Sequence, residues 1–136
     1  MSNGSNNWGV SFSRISWLDQ VIRNHSNVKS ASRHDDIVFE IERRSPDDRL
    51  RLICCDEYSL GILVVQRALT GFSPLNIIYC GGNWSGYTPE AKEYCINAKI
   101  GLFNSTEING ALQQADYWSF YRTDDKGNPQ YCYKAA

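Results

Sequence analysis

Residues 36–55 read DIVFEIERRSPDDRLRLICC, two β-rich segments that flank a polar turn. In the first segment, Asp36–Arg43, the apolar positions 37, 39 and 41 (Ile, Phe, Ile) alternate with positions 38, 40 and 42 (Val, Glu, Glu). A period of two indicates a strand with one buried face. The turn residues 45–48, Ser-Pro-Asp-Asp, then lead into the equally β-rich Arg49–Cys55. The stretch therefore predicts an antiparallel hairpin, preceded by a short strand near Asn27–Ser32.

Apolar residues at helical spacing flank this hairpin on both sides. Before the hairpin, the apolar residues follow Ser13, whose side chain can act as an N-cap. This pattern predicts a first helix over Arg14–His25. After the hairpin, Ser59 and Gly71 stand where a helix N-cap and a left-handed C-terminal residue are expected. They predict a largely buried helix over Leu60–Leu69, which includes Ile62, Leu63, Val64 and Val65.

The second half of the chain alternates strands and helices. Leu75–Cys80 is apolar enough for a fully buried strand, and Ile100–Phe103 predicts another. Between them, Thr88 and Pro89 are typical of the N-cap and first position of a helix. A last helix is expected after Asn104 or Ser105. Strand–helix–strand–helix order builds parallel pairs, so the fold class is α/β with a mixed sheet flanked by helices. The inner face of the 88–98 helix should carry Ala91, Tyr94, Cys95 and Ala98.

The C-terminal residues predict an aromatic β-hairpin. A turn over 124–128 joins the expected strands Tyr117–Thr123 and Gln130–Lys134. Aromatic and basic side chains together can stack bases and hold phosphates, or they can anchor a protein interface. Alternatively, one face of the hairpin simply packs on the domain, or its edge pairs across a homodimer. The predicted binding residues are Trp118, Tyr121, Arg122, Tyr131, Tyr133 and Lys134.

Composition limits the class of protein. The 136 residues suit one domain, which we expect over 13–136 after a flexible N-terminal segment 1–12. A net charge of -1 gives no overall attraction to nucleic acid, and the arginines of the first hairpin are diluted by acids. Without a membrane-length apolar run or a secretion signal, we expect a cytoplasmic protein. Its five cysteines lack zinc-site spacing and should be free, buried thiols.

The order helix, two or three antiparallel strands, buried helix, strand, helix, strand resembles the PD-(D/E)XK nuclease core, especially its Mrr-like restriction branch. The resemblance covers about residues 14–113. Leu18-Asp19 is similar to the family's helix acid, and Asp36 to the metal-binding aspartate that opens a strand. Residues 76–82, 87–91 and 100–103 are similar to its distal strand, helix and strand. The resemblance implies a restriction-endonuclease-like mixed sheet.

The chain departs from this family where the (D/E/Q)-x-K motif should stand, because Ile53 and Cys55 replace the acid and the lysine. Phosphodiester hydrolysis needs carboxylates that hold a divalent metal and a positive group beside the reacting phosphate. A thiol is too soft a ligand for Mg²⁺. The resemblance therefore implies a catalytically inactive domain without a cofactor. Such a domain would bind a protein or a nucleic acid, in bacterial or phage restriction, defence or its inhibition.

Two other readings of the sequence stay open. In the first, the chain is a divergent Mg²⁺-dependent DNA endonuclease with Asp36, Glu40 and Asp56 as catalytic residues, Asp36 and Asp56 holding the metal. Gln66 or Arg67 would then lend polar or positive character to the site. The second concerns the loop Gly81–Gly86 between a strand and a helix. Its backbone N–H groups could face a phosphate, or it could be a tight connection.

Overall fold

The computed structural model describes residues 4–135, which form an α/β protein with a five-stranded mixed sheet flanked by helices. The strand order is β1-β2-β3-β5-β7, in which β1 to β3 run antiparallel and β3, β5 and β7 run parallel. The α/β mixed sheet predicted from the sequence is therefore confirmed. The helices are α1 (Phe12–Arg23), α2 (Ile62–Phe72), α3 (Pro89–Asn97) and α4 (Ile108–Ala111), with a 3-10 helix at Tyr117–Ser119. The strands are β1 (Val28–His34), β2 (Val38–Arg43), β3 (Arg49–Cys54), β4 (Ser59–Leu60), β5 (Ile77–Tyr79), β6 (Gly86–Tyr87), β7 (Gly101–Phe103), β8 (Arg122–Thr123) and β9 (Pro129–Gln130).

The central hairpin has the register that its hydrophobic pattern requires. Ile41 lies opposite Leu50 on β3, and the neighbouring inward pair is also apolar, so one face of the hairpin enters the core. Glu40 lies opposite Arg51 on the other face. A slip of one residue would exchange the two faces and bury charge, which fixes the register.

The first strand of this hairpin begins later than expected. Asp35 and Asp36 have φ of 48° and 69° and form the turn between β1 and β2, so the prediction that a strand opens at Asp36 was wrong. Residues 35–37 separate the paired His34 and Val38. Aspartate tolerates positive φ better than most residues. In this turn the Asp36 side chain contacts Gly4, Asn6 and Arg33.

Two helices begin at residues other than those predicted, and their contacts explain the difference. Ser11 rather than Ser13 caps α1, where its hydroxyl accepts the Arg14 N–H. Ser59 does not cap α2, because it pairs with Gly86 in the small β4–β6 sheet, so the helix begins at Ile62. The expectation that Leu63 is buried was wrong, since its side chain is 77% exposed and only one side of α2 packs inward.

On α3 the sequence identified the cap but not the whole inner face. Thr88 accepts the Ala91 N–H and Pro89 opens the helix, as predicted. Tyr94 and Ala98 are exposed, however, and Lys92 is buried in their place. The Lys92 Nζ donates to the Leu102 carbonyl of edge strand β7 at 2.8 Å, while Arg23 of α1 donates to a carbonyl of the opposite edge strand, β1, at the same distance. A long cationic side chain thus binds one backbone carbonyl on each edge strand of the sheet.

The chain termini also differ from expectation. Residues 4–12, assigned to a flexible segment outside the domain, lie against it: Val10 is 1% exposed in the core and Trp8 packs on Phe72. The C-terminal hairpin exists, but its strands are only the two-residue β8 and β9. Residues 131–134 run beside β6 instead, where Lys134 N donates to the Tyr87 carbonyl at 2.9 Å. No helix within residues 4–135 is long and apolar enough to cross a membrane.

Candidate functional site

Asp36 is the metal ligand in the hypothesis of an active nuclease. Both oxygens of its carboxylate accept hydrogen bonds from protein groups. Gly4 N donates to both of its oxygens at 3.1 and 3.0 Å, Asn6 Nδ2 donates to Oδ2 at 2.8 Å, and Arg33 Nη1 donates to Oδ1 at 2.9 Å. Burial raises the pKa of Asp36, but the hydrogen bonds from Asn6 and Gly4 and the charge of Arg33 outweigh it and lower the pKa below 3.8. Asp36 therefore holds the N-terminal segment onto the β1–β2 turn.

The other carboxylates of that reading are engaged elsewhere. Glu40 pairs with His34 at 3.1 Å on the open face of the hairpin, and Asp56 Oδ1 lies 3.5 Å from Arg14 Nε. Arg67 donates to the Asn7 carbonyl and stacks on Trp8, and Gln66 is exposed. Within residues 4–135 no three His, Cys, Asp or Glu side chains are grouped to hold a metal ion. Asp36, Glu40 and Asp56 thus each pair with a different part of the protein.

Ile53 and Cys55, at the positions where the resemblance predicts an acid and a lysine, are both buried. Ile53 faces Val38 across the hairpin, and Cys55 is 2% exposed. Burial, followed by the charge of Glu57, raises the pKa of Cys55 to about 12, so the thiol stays protonated at neutral pH. The prediction of free, buried thiols is confirmed for four of the five cysteines, and Cys132 is free and half-buried.

Three of the six predicted binding residues form one surface. The rings of Tyr121 and Tyr131 lie 5.9 Å apart, and those of Tyr131 and Tyr133 are stacked at 5.3 Å. Tyr121 is 41% exposed and Tyr133 is 46% exposed, with Tyr131 between them. We call Tyr121, Tyr131 and Tyr133 the tyrosine surface. Arg122 is exposed on β8 beside Tyr121.

The remaining two predicted binding residues face other neighbours. The Lys134 ammonium lies 5.2 Å from the Tyr58 ring. Trp118 packs edge-on against Tyr117 with ring centroids 5.2 Å apart, and the Lys99 ammonium lies over it at 5.6 Å. The interleaved aromatic and basic residues therefore divide into an exposed tyrosine row and a packed tryptophan.

A buried base supports the tyrosine surface. The Tyr87 ring meets Tyr133 edge-on at 5.8 Å, and its hydroxyl donates to Glu107 Oε2 at 2.6 Å while it accepts the Cys132 N–H at 3.1 Å. Burial, together with the Glu107 charge, raises the pKa of Tyr87 far above its usual range. A fixed aromatic surface loses little conformational freedom when a partner binds.

Sequence reasoning missed a pocket at the carboxyl ends of the parallel strands. It is lined by Arg14, Trp17, Gly82, Asn83, Trp84, Ser85 and Ser105. The Gly81–Gly86 loop was the available signal, because it follows a buried strand and contains Trp84. Arg14 and Trp17 lie on α1, far away in sequence, and no local pattern connects them with that loop.

The fold and these surfaces define an α/β protein with a five-stranded mixed sheet and a partly exposed tyrosine surface. Comparison of the chain with protein-family models, with curated proteins and with solved structures finds no match.

The lowered pKa of Asp36 makes the protein's stability pH-dependent. The ionised carboxylate stabilises the fold at and above the pH where the unfolded chain ionises, near 3.8, and this contribution is lost as pH falls through the lower folded pKa. Asp36→Asn replaces charge-assisted bonds by neutral ones and should cost roughly 1 to 2 kcal/mol at pH 7. Urea denaturation from pH 2 to pH 7 should show a smaller acid loss in the variant. Asp35→Asn, exposed in the same turn, is the control, and an equal effect of both variants would contradict the role of Asp36.

Proposed function

We propose that this protein is a catalytically inactive domain of restriction-endonuclease-like architecture that binds a partner protein through the tyrosine surface. The tyrosine surface carries the proposal, because three adjoining rings stand partly exposed on a buried support. The architecture is supported by the strand order: an antiparallel β1–β2–β3 meander, then α2, then β5 parallel to β3. This order of helices and strands resembles that of the PD-(D/E)XK nuclease core.

The absence of catalysis is proposed from the state of the key side chains. Asp36 already accepts bonds from Gly4, Asn6 and Arg33, so a metal ion would have to displace the N-terminal segment. Ile53 and Cys55 supply neither charge nor hard oxygen ligands at the neighbouring strand end. Both features favour binding over hydrolysis.

The charge around the tyrosine surface favours a protein over a nucleic acid. Arg122 and Lys126 are matched by Asp124 and Asp125 in the same hairpin. Nucleic-acid affinity depends chiefly on unneutralised lysines and arginines that contact phosphates. Tyrosine, by contrast, is enriched in protein interfaces, where it supplies large contact area at low entropic cost. The resemblance and the free thiols suggest a cytoplasmic setting in bacterial or phage restriction, defence or its inhibition.

A photo-crosslinking experiment tests the proposed partner class. A photoreactive phenylalanine analogue at position 121 should capture one defined protein in cells, whereas the same analogue at position 94, an exposed α3 site, should not. With that protein purified, the double variant Tyr121→Ala/Tyr133→Ala should bind at least tenfold more weakly by calorimetry, a loss of about 1.4 kcal/mol or more. Tyr94→Ala should bind normally.

Other outcomes of that experiment decide between the alternatives. Capture of a second copy of this chain would show that the tyrosine surface is a homodimer interface. Capture of nucleic acid would contradict the proposal that the surface binds a protein. Nicking of plasmid DNA in Mg²⁺ or Mn²⁺, abolished by Asp36→Ala, would overturn the inactive assignment and establish the endonuclease.

A further inference from the structure

The pocket lined by Arg14, Trp17 and Trp84 lies where connections leave β5 and β7 at their carboxyl ends. In open α/β sheets, ligands bind in the crevice outside these strand ends. The loop after β5 contributes Gly82 and Trp84, the segment after β7 contributes Ser105, and α1 closes the third side. Three elements thus meet around one concave, partly polar site.

Arg14 brings a positive charge to this pocket, where it forms an ion pair with Asp56. Asp56 Oδ1 lies 3.5 Å from Arg14 Nε, and no acceptor within residues 4–135 forms a hydrogen bond with that buried nitrogen. The loop is shaped around the guanidinium, because a Cβ on Gly82 would lie 2.7 Å from Arg14 Nη1. A guanidinium held in this way can bind a phosphate through paired N–H groups.

The glycine loop itself is not arranged as a phosphate cradle. Ser85 N donates to the Gly82 carbonyl at 3.0 Å and Gly86 N donates to the Tyr58 carbonyl at 2.9 Å. These two N–H groups are therefore used within the fold. The Ser105 hydroxyl is also used, because it donates to the Gly81 carbonyl at 3.3 Å. Arg14 is therefore the better anion contact of this pocket.

Two indole rings in the same pocket can stack on planar groups. Trp84 is 84% exposed, more than any other large apolar side chain of residues 4–135. Trp17 is 39% exposed and is fixed by stacking on Tyr79, with ring centroids 6.2 Å apart at 21°. Exposed aromatic rings beside a cation are the combination that stacks bases and holds the phosphate backbone in single-stranded nucleic-acid sites.

The volume of the pocket limits the part of a ligand that it can enclose. Its volume is about 200 Å³, below the roughly 300 to 1,000 Å³ of most small-molecule sites. It can hold one planar ring with an attached anionic group, and the rest of a larger ligand must extend into solvent.

We infer that this pocket binds a single nucleotide, whose phosphate contacts Arg14 and whose base stacks on Trp84. The nucleotide is either free or an unpaired residue of a strand, since the recognising chemistry is the same. The site is separate from the tyrosine surface, so the inference does not depend on the proposed partner protein.

Tryptophan fluorescence titration of the full chain tests this site. AMP and a short oligothymidylate are the two ligand arms, and inorganic phosphate and adenosine are the comparison ligands. We expect quenching by AMP or by the oligonucleotide, with adenosine and phosphate each at least tenfold weaker. Preference for AMP identifies a free nucleotide, and preference for the oligonucleotide identifies an unpaired residue of a strand.

Variants make the test specific, with affinity measured by calorimetry because the mutations alter the fluorescence. Trp84→Ala and Arg14→Gln should each weaken binding at least tenfold, and Trp84→Ala should leave the unfolding midpoint unchanged because its ring is exposed. Tyr94→Ala and Arg49→Gln replace an exposed ring and an exposed cation outside the pocket and should bind normally. The inference is overturned if the wild type binds neither AMP nor the oligonucleotide at millimolar concentration, or if Trp84→Ala binds as well as the wild type.

Discussion

Arg43→Ala is expected to destabilise the protein by about 3 kcal/mol, because it leaves buried acceptors unpaired although the remaining Asp48 is partly exposed. The Arg43 side chain is fully buried, and its Nε and Nη2 donate to the two oxygens of Asp48 at 2.8 and 2.7 Å. Its Nη1 donates to the Gln114 carbonyl at 2.7 Å, and its guanidinium lies 5.5 Å from the Tyr117 ring centroid. The variant leaves these acceptors unpaired around a cavity.

Urea denaturation followed by circular dichroism measures this loss. Arg44→Ala is a matched control, because Arg44 is the next residue in the chain and is exposed, and it should change the unfolding free energy by no more than about 0.5 kcal/mol. Arg43→Lys keeps the charge but not the planar fork, so it should fall between the two. Equal stability of the two alanine variants would show that the buried pair contributes nothing.

Arg43 also shows what the sequence could not reveal. Arg43, Arg44, Arg49 and Arg51 are one basic cluster in the sequence, yet the fold buries the first and leaves Arg49 exposed. Burial of Arg43 depends on carbonyls near residue 114, which are remote in the chain. Alternation decides which face a residue occupies, but not what later covers that face.

Features encoded by a few neighbouring residues were predicted well. The 36–55 hairpin, the Thr88 cap and the parallel strands around 75–103 all depend on period, capping or turn chemistry within a short window. The same is true of the turn at 124–128, where Asp124 Oδ1 accepts the Lys126 and Asn128 N–H groups. These features can be predicted because they depend on neighbouring residues and not on contacts with distant segments.

The candidate sites were predicted less completely because their partners come from distant segments. The Asp36 carboxylate is filled by Gly4 and Asn6, more than 25 residues earlier. Residues 131–134 follow β6 instead of extending β9, because pairing with Tyr87 satisfies their backbone groups. The tyrosine surface could be expected from composition, but its support by Tyr87 and Glu107 could not.

That support is a buried polar network. Glu107 is fully buried, accepts the Tyr87 hydroxyl at 2.6 Å and accepts the Asn104 N–H at 3.0 Å. Lys92 lies in the same interior with its ammonium 5.0 Å from the Tyr87 ring centroid. Burial lowers the pKa of Lys92, and the Glu107 charge opposes that shift. Loss of the carboxylate would therefore affect groups on three segments at once.

Glu107→Ala should cost about 3 kcal/mol or more, because two buried donors lose their acceptor and the pKa of Lys92 falls further. Tyr87→Phe removes only the hydroxyl and should cost about 1 to 2 kcal/mol. In both variants, hydrogen exchange should accelerate at Lys134 N, whose bond to the Tyr87 carbonyl holds the last segment beside β6. Tyr94→Phe, on the exposed face of α3, should change neither stability nor exchange. If Lys134 N stayed as protected in Glu107→Ala as in the wild type, the network would not be what holds the tyrosine surface in place.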